Sequence, residues 1–117
     1  MIPIPSLRKM TDHKVAFVVE AARWFDRVNG NTYHACRITR TRDGATLHCQ
    51  FQYGYGDQYR YTALKAMARA KWIPPKYREE LPSGGISCWK YERENDYPIL
   101  WSVTDGLKRD VVELGRP

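Results

Sequence analysis

The chain has few of the residues on which disulfide-rich, zinc-binding and membrane-spanning proteins depend. Cysteine occurs three times in 117 residues, an odd number, and no two cysteines have the Cys-x-x-Cys spacing of common zinc sites. No apolar run approaches the roughly 20 residues that span a bilayer, and Pro3 and Pro5 interrupt any secretory leader near the start. We therefore expect no membrane association and a cytoplasmic protein with reduced thiols.

Two short segments nevertheless carry possible metal ligands, His34 with Cys36 and His48 with Cys49. Side chains alternate along a strand, so Cys36 and Cys49 would project to one face of a hairpin and His48 to the other. Such a set cannot converge on one tetrahedral ion. Buried cysteine acting as a small apolar residue is favoured over zinc binding, and we expect no metal and no cofactor.

Acidic residues are scarce in the first part of the chain. Residues 1–72 hold 12 Lys and Arg against 5 Asp and Glu, whereas residues 73–117 hold 7 against 8. The net charge of +6 and the pI near 9.4 therefore come from the first block. A local positive field favours a polyanionic partner, and the alternative is a surface that is basic for solubility alone.

The pattern of apolar residues predicts one α+β domain over residues 1–117, with an antiparallel sheet, one main helix on one face and a C-terminal β extension. Residues 14–73 form a basic block that begins with a predicted strand at residues 14–20. Residues 21–25 either continue it through a bulge or form a helical turn. A neutral, mainly β tail at residues 86–114 has strands at 86–92 and 98–104, and residues 107–114 fit either strand or helix.

The pair Asp43-Gly44 predicts a hairpin whose two-residue turn joins Arg42 to Ala45. This register separates apolar from polar side chains. The apolar face collects Cys36, Ile38, Leu47, Cys49, Phe51 and Tyr53. The polar face collects Tyr33, Arg37, Thr39, Thr41, Thr46, His48, Gln50 and Gln52. His34 falls on the mostly apolar side.

A helix is predicted from about residue 58 to residue 72, with Asp57 as its N-cap and with Pro74 ending it. Its buried stripe comprises Tyr61, Leu64, Ala68 and Trp72, with Met67 beside it. Lys65 and Arg69 share the solvent face with no acidic partner on the helix. Like charges at this spacing are unfavourable, so the pair indicates an anionic partner.

No reaction is indicated by the sequence, and we expect the protein not to be an enzyme. Nothing in the spacing pairs a cysteine with a histidine, and the glycine turn before Asp57 lacks a Walker lysine. Nucleic-acid binding is favoured instead, because Arg and Lys contact phosphates and Gln can read base edges. The expected contact residues are Arg37, Arg40, Arg42, His48, Gln50, Arg60, Lys65 and Arg69.

The order hairpin, glycine turn and Ala-rich helix resembles the second half of double-stranded-RNA-binding domains. Those domains have a lysine-rich helix start and an additional first helix. Here the helix starts with Gln58, Tyr59 and Arg60, and no preceding helix is predicted, so duplex recognition does not follow.

The segments Gly-Asn-Thr-Tyr-His at 30–34, Gln-Tyr-Gly-Tyr-Gly-Asp-Gln-Tyr at 52–59 and Thr-Ala-Leu at 62–64 resemble small uncharacterised proteins encoded by bacteriophages. The resemblance covers residues 14 to about 75. It implies an accessory protein in the bacterial cytoplasm that binds DNA or RNA, or alternatively a host protein or ribonucleoprotein complex, as an anti-CRISPR-like inhibitor of host defence. Candidate contacts for a protein partner are Trp89, Tyr91, Tyr97 and Trp101, although a second core layer is the favoured explanation of these residues.

Overall fold

The computed structural model describes residues 14–77 and 88–117, and in them a four-stranded sheet is combined with three α-helices. The elements in chain order are β1 (Phe17–Asp26), β2 (Asn31–Arg40), β3 (Thr46–Tyr53), α1 (Gln58–Arg69), a 3₁₀ turn (Pro75–Tyr77), α2 (Cys88–Glu94), β4 (Ile99–Asp105) and α3 (Lys108–Leu114). The strand order is β3-β2-β1-β4, and only the β1–β4 pair is parallel. The prediction of an α+β fold with a mainly antiparallel sheet is confirmed.

Strand β1 settles the alternative left open for residues 21–25, which are strand. Its ten residues pair with β2 without interruption, from Phe17 opposite Arg40 to Asp26 opposite Asn31. The turn between them is held by Asp26, whose Oδ1 accepts hydrogen bonds from the backbone N–H of Val28 at 3.0 Å and of Asn29 at 3.3 Å. β1 is therefore a central strand, with β4 on its other side.

The predicted register of the β2–β3 hairpin is wrong. Arg40 pairs with Ala45 through a backbone hydrogen bond of 2.8 Å, so four residues form the turn and Cys36 lies opposite Cys49. A two-residue turn of the favoured type needs positive φ at both positions. Within the turn at 41–44 only Gly44 has it, at 75°.

A β-bulge between His34 and Cys36 then shifts the pairing by one residue. Cys36, Ile38, Leu47 and Cys49 still share the apolar face as predicted, because the two registers have the same parity. Beyond the bulge Phe51 stacks on Tyr33 at 5.0 Å, on the opposite side of the sheet, and Tyr53 is exposed. The prediction that Phe51 and Tyr53 face the main core is therefore wrong.

Helix α1 ends at Arg69, three residues before the predicted end, and Lys71 then turns the chain with a φ of 62°. Asp57 occupies the N-cap position but makes no side-chain capping hydrogen bond. The helix buries Tyr59, Ala63, Leu64, Met67 and Ala68. Tyr61 is half exposed, at 50%, so it does not belong to the buried stripe as predicted.

The tail is not mainly β. Residues 88–92, which were predicted as strand, belong to α2. Just beyond the end of this helix, the side-chain amide of Asn95 donates a hydrogen bond to the backbone oxygen of Tyr91 at 2.9 Å. Residues 86 and 87 lie outside the described part. β4 confirms the strand predicted at 98–104, and residues 107–114, left open, form α3.

The sheet separates two apolar clusters. On the α1 side, Val19, Ile38 and Leu64 are fully buried in the main core. On the α3 side, Val111 packs against Ala22 and Ala35 in a smaller cluster. One main helix on one face was predicted correctly, and α3 adds cover to part of the other face.

Candidate nucleic-acid interface

The sheet divides the predicted contact residues between its two sides. Arg60, Lys65 and Arg69 lie on α1. Arg37, His48 and Gln50 lie on the α3 side, where Arg37 is the partner of His48 across the hairpin and the Cα of Gln50 borders Gly115. The predicted contact residues therefore do not lie on one common surface, because side chains alternate along β2 and the helix covers one face.

The outward side of α1 keeps two of the predicted contact residues, Lys65 and Arg69, together on one surface. Tyr61, Lys65 and Arg69 are four residues apart, are exposed and form one line, which we call the α1 face. A rise of about 1.5 Å per residue spaces them by about 6 Å. The helix contains no acidic residue, and neither cation has an ion-pair partner within residues 14–77 and 88–117. Among the described residues, this face therefore presents two cations without a counter-charge beside an aromatic ring.

Arg40 is the last residue of β2, and its side chain lies near Trp72, which follows the C-terminal end of α1. Its guanidinium is 4.5 Å from the centre of the Trp72 ring, which stacks on Phe17 of the core. It also makes a two-fold contact with Asp43, at 3.0 and 2.7 Å. That contact lowers the pKa of Asp43 to about 2 and raises the pKa of Arg40. The guanidinium of Arg40 is thus held by Asp43 and Trp72, and its charge is largely neutralised by Asp43. Arg42 is exposed in the turn.

Arg60 is directed back toward the protein. Its guanidinium lies 5.0 Å from the Trp101 ring and its Nε donates to the hydroxyl of Tyr59. The neighbouring Glu92 is 5% exposed and accepts a hydrogen bond from the indole N–H of Trp101. Because a buried carboxylate needs a nearby positive charge, Arg60 is better explained as the counter-charge of Glu92 than as a contact for a partner.

On the α3 side the charge of Arg37, one of the predicted contact residues, is neutralised. Nη2 of Arg37 donates to both carboxylate oxygens of Glu20, at 2.8 and 2.9 Å. The Nδ1 atom of His48 is buried and lacks a hydrogen-bond partner in the part of the chain that the structure describes. Gln50 is exposed. These residues offer no net charge for a phosphate backbone.

The aromatic residues proposed for a protein partner do not form one exposed surface. Tyr91 is 5% exposed, packs edge-on against Tyr77 at 5.1 Å, and has its pKa raised to about 12 by burial. Trp101 is half buried beside Tyr59. Tyr97 is 54% exposed, and the side chain of Trp89 lies outside the described residues. Tyr91 is therefore a core residue, and its prediction as an interface contact is wrong.

Comparison with known proteins adds no assignment. No family model, curated protein or solved structure matches the chain. The function of this chain is therefore inferred from its own geometry alone.

The described residues provide neither a metal site nor a reactive thiol at Cys36. They contain no group of three or more His, Cys, Asp or Glu side chains placed to hold an ion. Cys36 and Cys49 are free thiols that face each other across the hairpin in the main core. Their shared hydrogen bond, together with burial, raises the pKa of Cys36, which keeps that thiol unreactive.

Sequence reasoning missed the role of His34, which is 1% exposed. Its Nδ1 is 3.1 Å from the backbone oxygen of Gly54 and its Nε2 is 2.8 Å from Oγ1 of Thr62. The ring thereby joins β2 to the β3–α1 connection and to α1 itself. Burial lowers its pKa. The only available signal was a polar residue on the apolar side of the strand.

Sequence reasoning also missed a cleft at the end of the sheet where the β1–β2 turn approaches the β4–α3 turn. Its volume is about 780 Å³, and its lining includes Phe25, Arg27 and Leu107. No pattern in the sequence brings these two turns together.

None of the helices within the described residues is long and apolar enough to cross a membrane.

Proposed function

We propose that the protein binds single-stranded nucleic acid through the α1 face. The observation that carries this proposal is the line of Lys65 and Arg69, both exposed and without an ion-pair partner among the described residues. Two like charges one helical turn apart destabilise an isolated helix by a few tenths of a kcal/mol. A row of phosphates removes that cost and gains favourable contacts with both cations.

Exposed tyrosines near the start of α1 favour a single strand over a duplex. Tyr61 is 50% exposed on the α1 face, and Tyr55, which precedes the helix, is 64% exposed. Bases of a single strand can stack on such rings, with about 1–3 kcal/mol per base, whereas the stacked bases of a duplex cannot reach them. Cations beside aromatic rings are the usual composition of a single-strand surface.

The alternative partner, a host protein complex, has less support. Of its candidate contacts, Tyr91 belongs to the core and Trp101 is held by Glu92 and Arg60. The phage origin implied by the sequence resemblance remains a prediction, as does a cytoplasmic location.

The proposal is tested by measuring affinity for a labelled homopyrimidine strand and for a duplex of equal length by fluorescence anisotropy. We expect the strand to bind more tightly, and the double variant Lys65→Gln/Arg69→Gln to lose most of the affinity. The control is Arg109→Gln/Arg116→Gln, which removes the same charge from exposed positions on or next to α3. Equal losses in the two variants would show a nonspecific charge effect and contradict the proposal.

A further inference from the structure

The cleft at the end of the sheet has the size of a ligand site. Its volume of about 780 Å³ falls within the range of about 300–1,000 Å³ typical of small-molecule pockets. Its walls come from the β1–β2 turn, the β4–α3 turn and Gly56, which directly precedes the N-cap of α1. The cleft therefore adjoins the start of the α1 face.

Its walls expose apolar surface that the fold does not use. Phe25 is 55% exposed, Val28 is 91% exposed and Leu107 is 56% exposed. Large apolar side chains in a concave site are typical of ligand pockets, and an aromatic ring among them offers a stacking surface.

The described lining of the cleft carries two cations, Arg23 and Arg27, and two carboxylates, Asp26 and Asp105. Oδ2 of Asp26 accepts a hydrogen bond from the side chain of Asn29 at 2.8 Å, and its other oxygen accepts from backbone N–H groups. Nε of Arg23 contacts Oδ1 of Asp105 at 3.1 Å, and its Nη1 donates to the oxygen of Gly56 at 3.1 Å. Exposed Arg27 has no such partner within residues 14–77 and 88–117. The complementary ligand therefore has an apolar body, an anionic group that can meet Arg27, and hydrogen-bond donors that can meet the carboxylates.

We propose that this cleft binds a nucleotide, with the base against Phe25 and Leu107 and the phosphate at Arg27. Asp105, whose side chain is 78% exposed, keeps Oδ2 available to accept a hydrogen bond from a base amino group or a ribose hydroxyl. The ligand is either a free nucleotide or the terminal nucleotide of a strand that lies along the α1 face. This proposal goes beyond strand binding at the α1 face, because a free nucleotide would bind in the cleft whether or not the α1 face binds a strand.

The test is amide NMR of the ¹⁵N-labelled protein titrated with each of the four 5′-mononucleotides. Parallel titrations use the matching nucleosides, inorganic phosphate and a short single strand. We expect the nucleotides to shift amides of residues 23–28 and 105–107, and the nucleosides to bind more weakly. If only the strand shifts these amides, the terminal nucleotide is the ligand; if free nucleotides also shift them, a free nucleotide suffices.

Variants separate this proposal from the one for the α1 face. Arg27→Gln and Phe25→Ala should each weaken nucleotide binding about tenfold, whereas Lys65→Gln/Arg69→Gln should leave it unchanged. Both cleft positions are exposed, so the variants should fold, and their amide spectra report this directly. The absence of shifts in the cleft with every ligand would overturn the proposal, as would equal shifts with inorganic phosphate alone.

Discussion

Replacing His34 with alanine tests whether this side chain holds the β3–α1 connection in place. The imidazole is 1% exposed and contacts the oxygen of Gly54 at 3.1 Å and the hydroxyl of Thr62 at 2.8 Å. Its removal leaves these two polar groups without their partner, at about 1–3 kcal/mol each, and opens a cavity. We expect the free energy of unfolding to fall by about 3–5 kcal/mol, a large part of the total of about 5–15 kcal/mol for a small domain.

Urea unfolding followed by circular dichroism measures this change, with His48→Ala as the control. His48 is only half buried, and its Nδ1 lacks a partner in the part of the chain that the structure describes. The control should therefore lose no more than about 1 kcal/mol. If both variants lost the same stability, the structural role given to His34 would be refuted.

The pH dependence of stability gives the same test a second readout. Burial lowers the pKa of His34 below its ordinary 6.5, so the unfolded chain binds a proton at a higher pH than the folded protein does. The contribution of His34 is thus complete above pH 6.5. It is lost as the pH falls toward the folded pKa, by at most about 1.4 kcal/mol per pH unit. This dependence should be absent from His34→Ala and present in His48→Ala; its persistence in His34→Ala would contradict the account.

Two further predictions concern features that were not predicted from the sequence. A Cβ on Gly115 would lie 2.8 Å from the backbone oxygen of Cys49, so Gly115→Ala should destabilise the protein by about 1–3 kcal/mol in urea unfolding. Gly106→Ala, where a Cβ meets no atom within 4 Å, should change stability by no more than about 0.5 kcal/mol, and equal effects would argue against the packing of α3 on the sheet. Cross-strand NOEs between backbone protons should connect Cys36 with Cys49 in the ¹⁵N,¹³C-labelled protein, because the two residues are directly paired. The sequence-predicted register makes these cysteines diagonal neighbours about 7–8 Å apart, so NOEs from Cys36 to Phe51 in place of Cys49 would favour that register.

The strands were predictable because their β-branched and alternating residues satisfy a local rule. β2, β3 and β4 occur where this pattern predicts them, and β1 continues the strand predicted at residues 14–20 through residues 21–25, which the pattern left open. The hairpin register was not predictable, because it depends on whether Asp43 adopts positive φ and on a bulge beside His34. Both are decided by packing across the sheet. The short helices α2 and α3 are similarly ambiguous, since seven residues fit either period.

The candidate site was partly predictable. Helical spacing correctly placed Lys65 and Arg69 on the solvent side of α1. The sequence could not show that Arg37 is neutralised by Glu20 or Arg40 by Asp43, because ion pairs depend on register and on turn geometry. Nor could it show the cleft, whose two turns are more than seventy residues apart in the chain.

The salt dependence of strand binding tests the central claim most directly. The logarithm of affinity for a single strand falls with the logarithm of salt concentration by about 0.7 for each phosphate contact. Measured between about 50 and 200 mM salt, Lys65→Gln/Arg69→Gln should therefore have a slope smaller by about 1.4 than the unmodified protein. Arg109→Gln/Arg116→Gln should keep the original slope. An unchanged slope in the α1 variant would contradict binding at the α1 face.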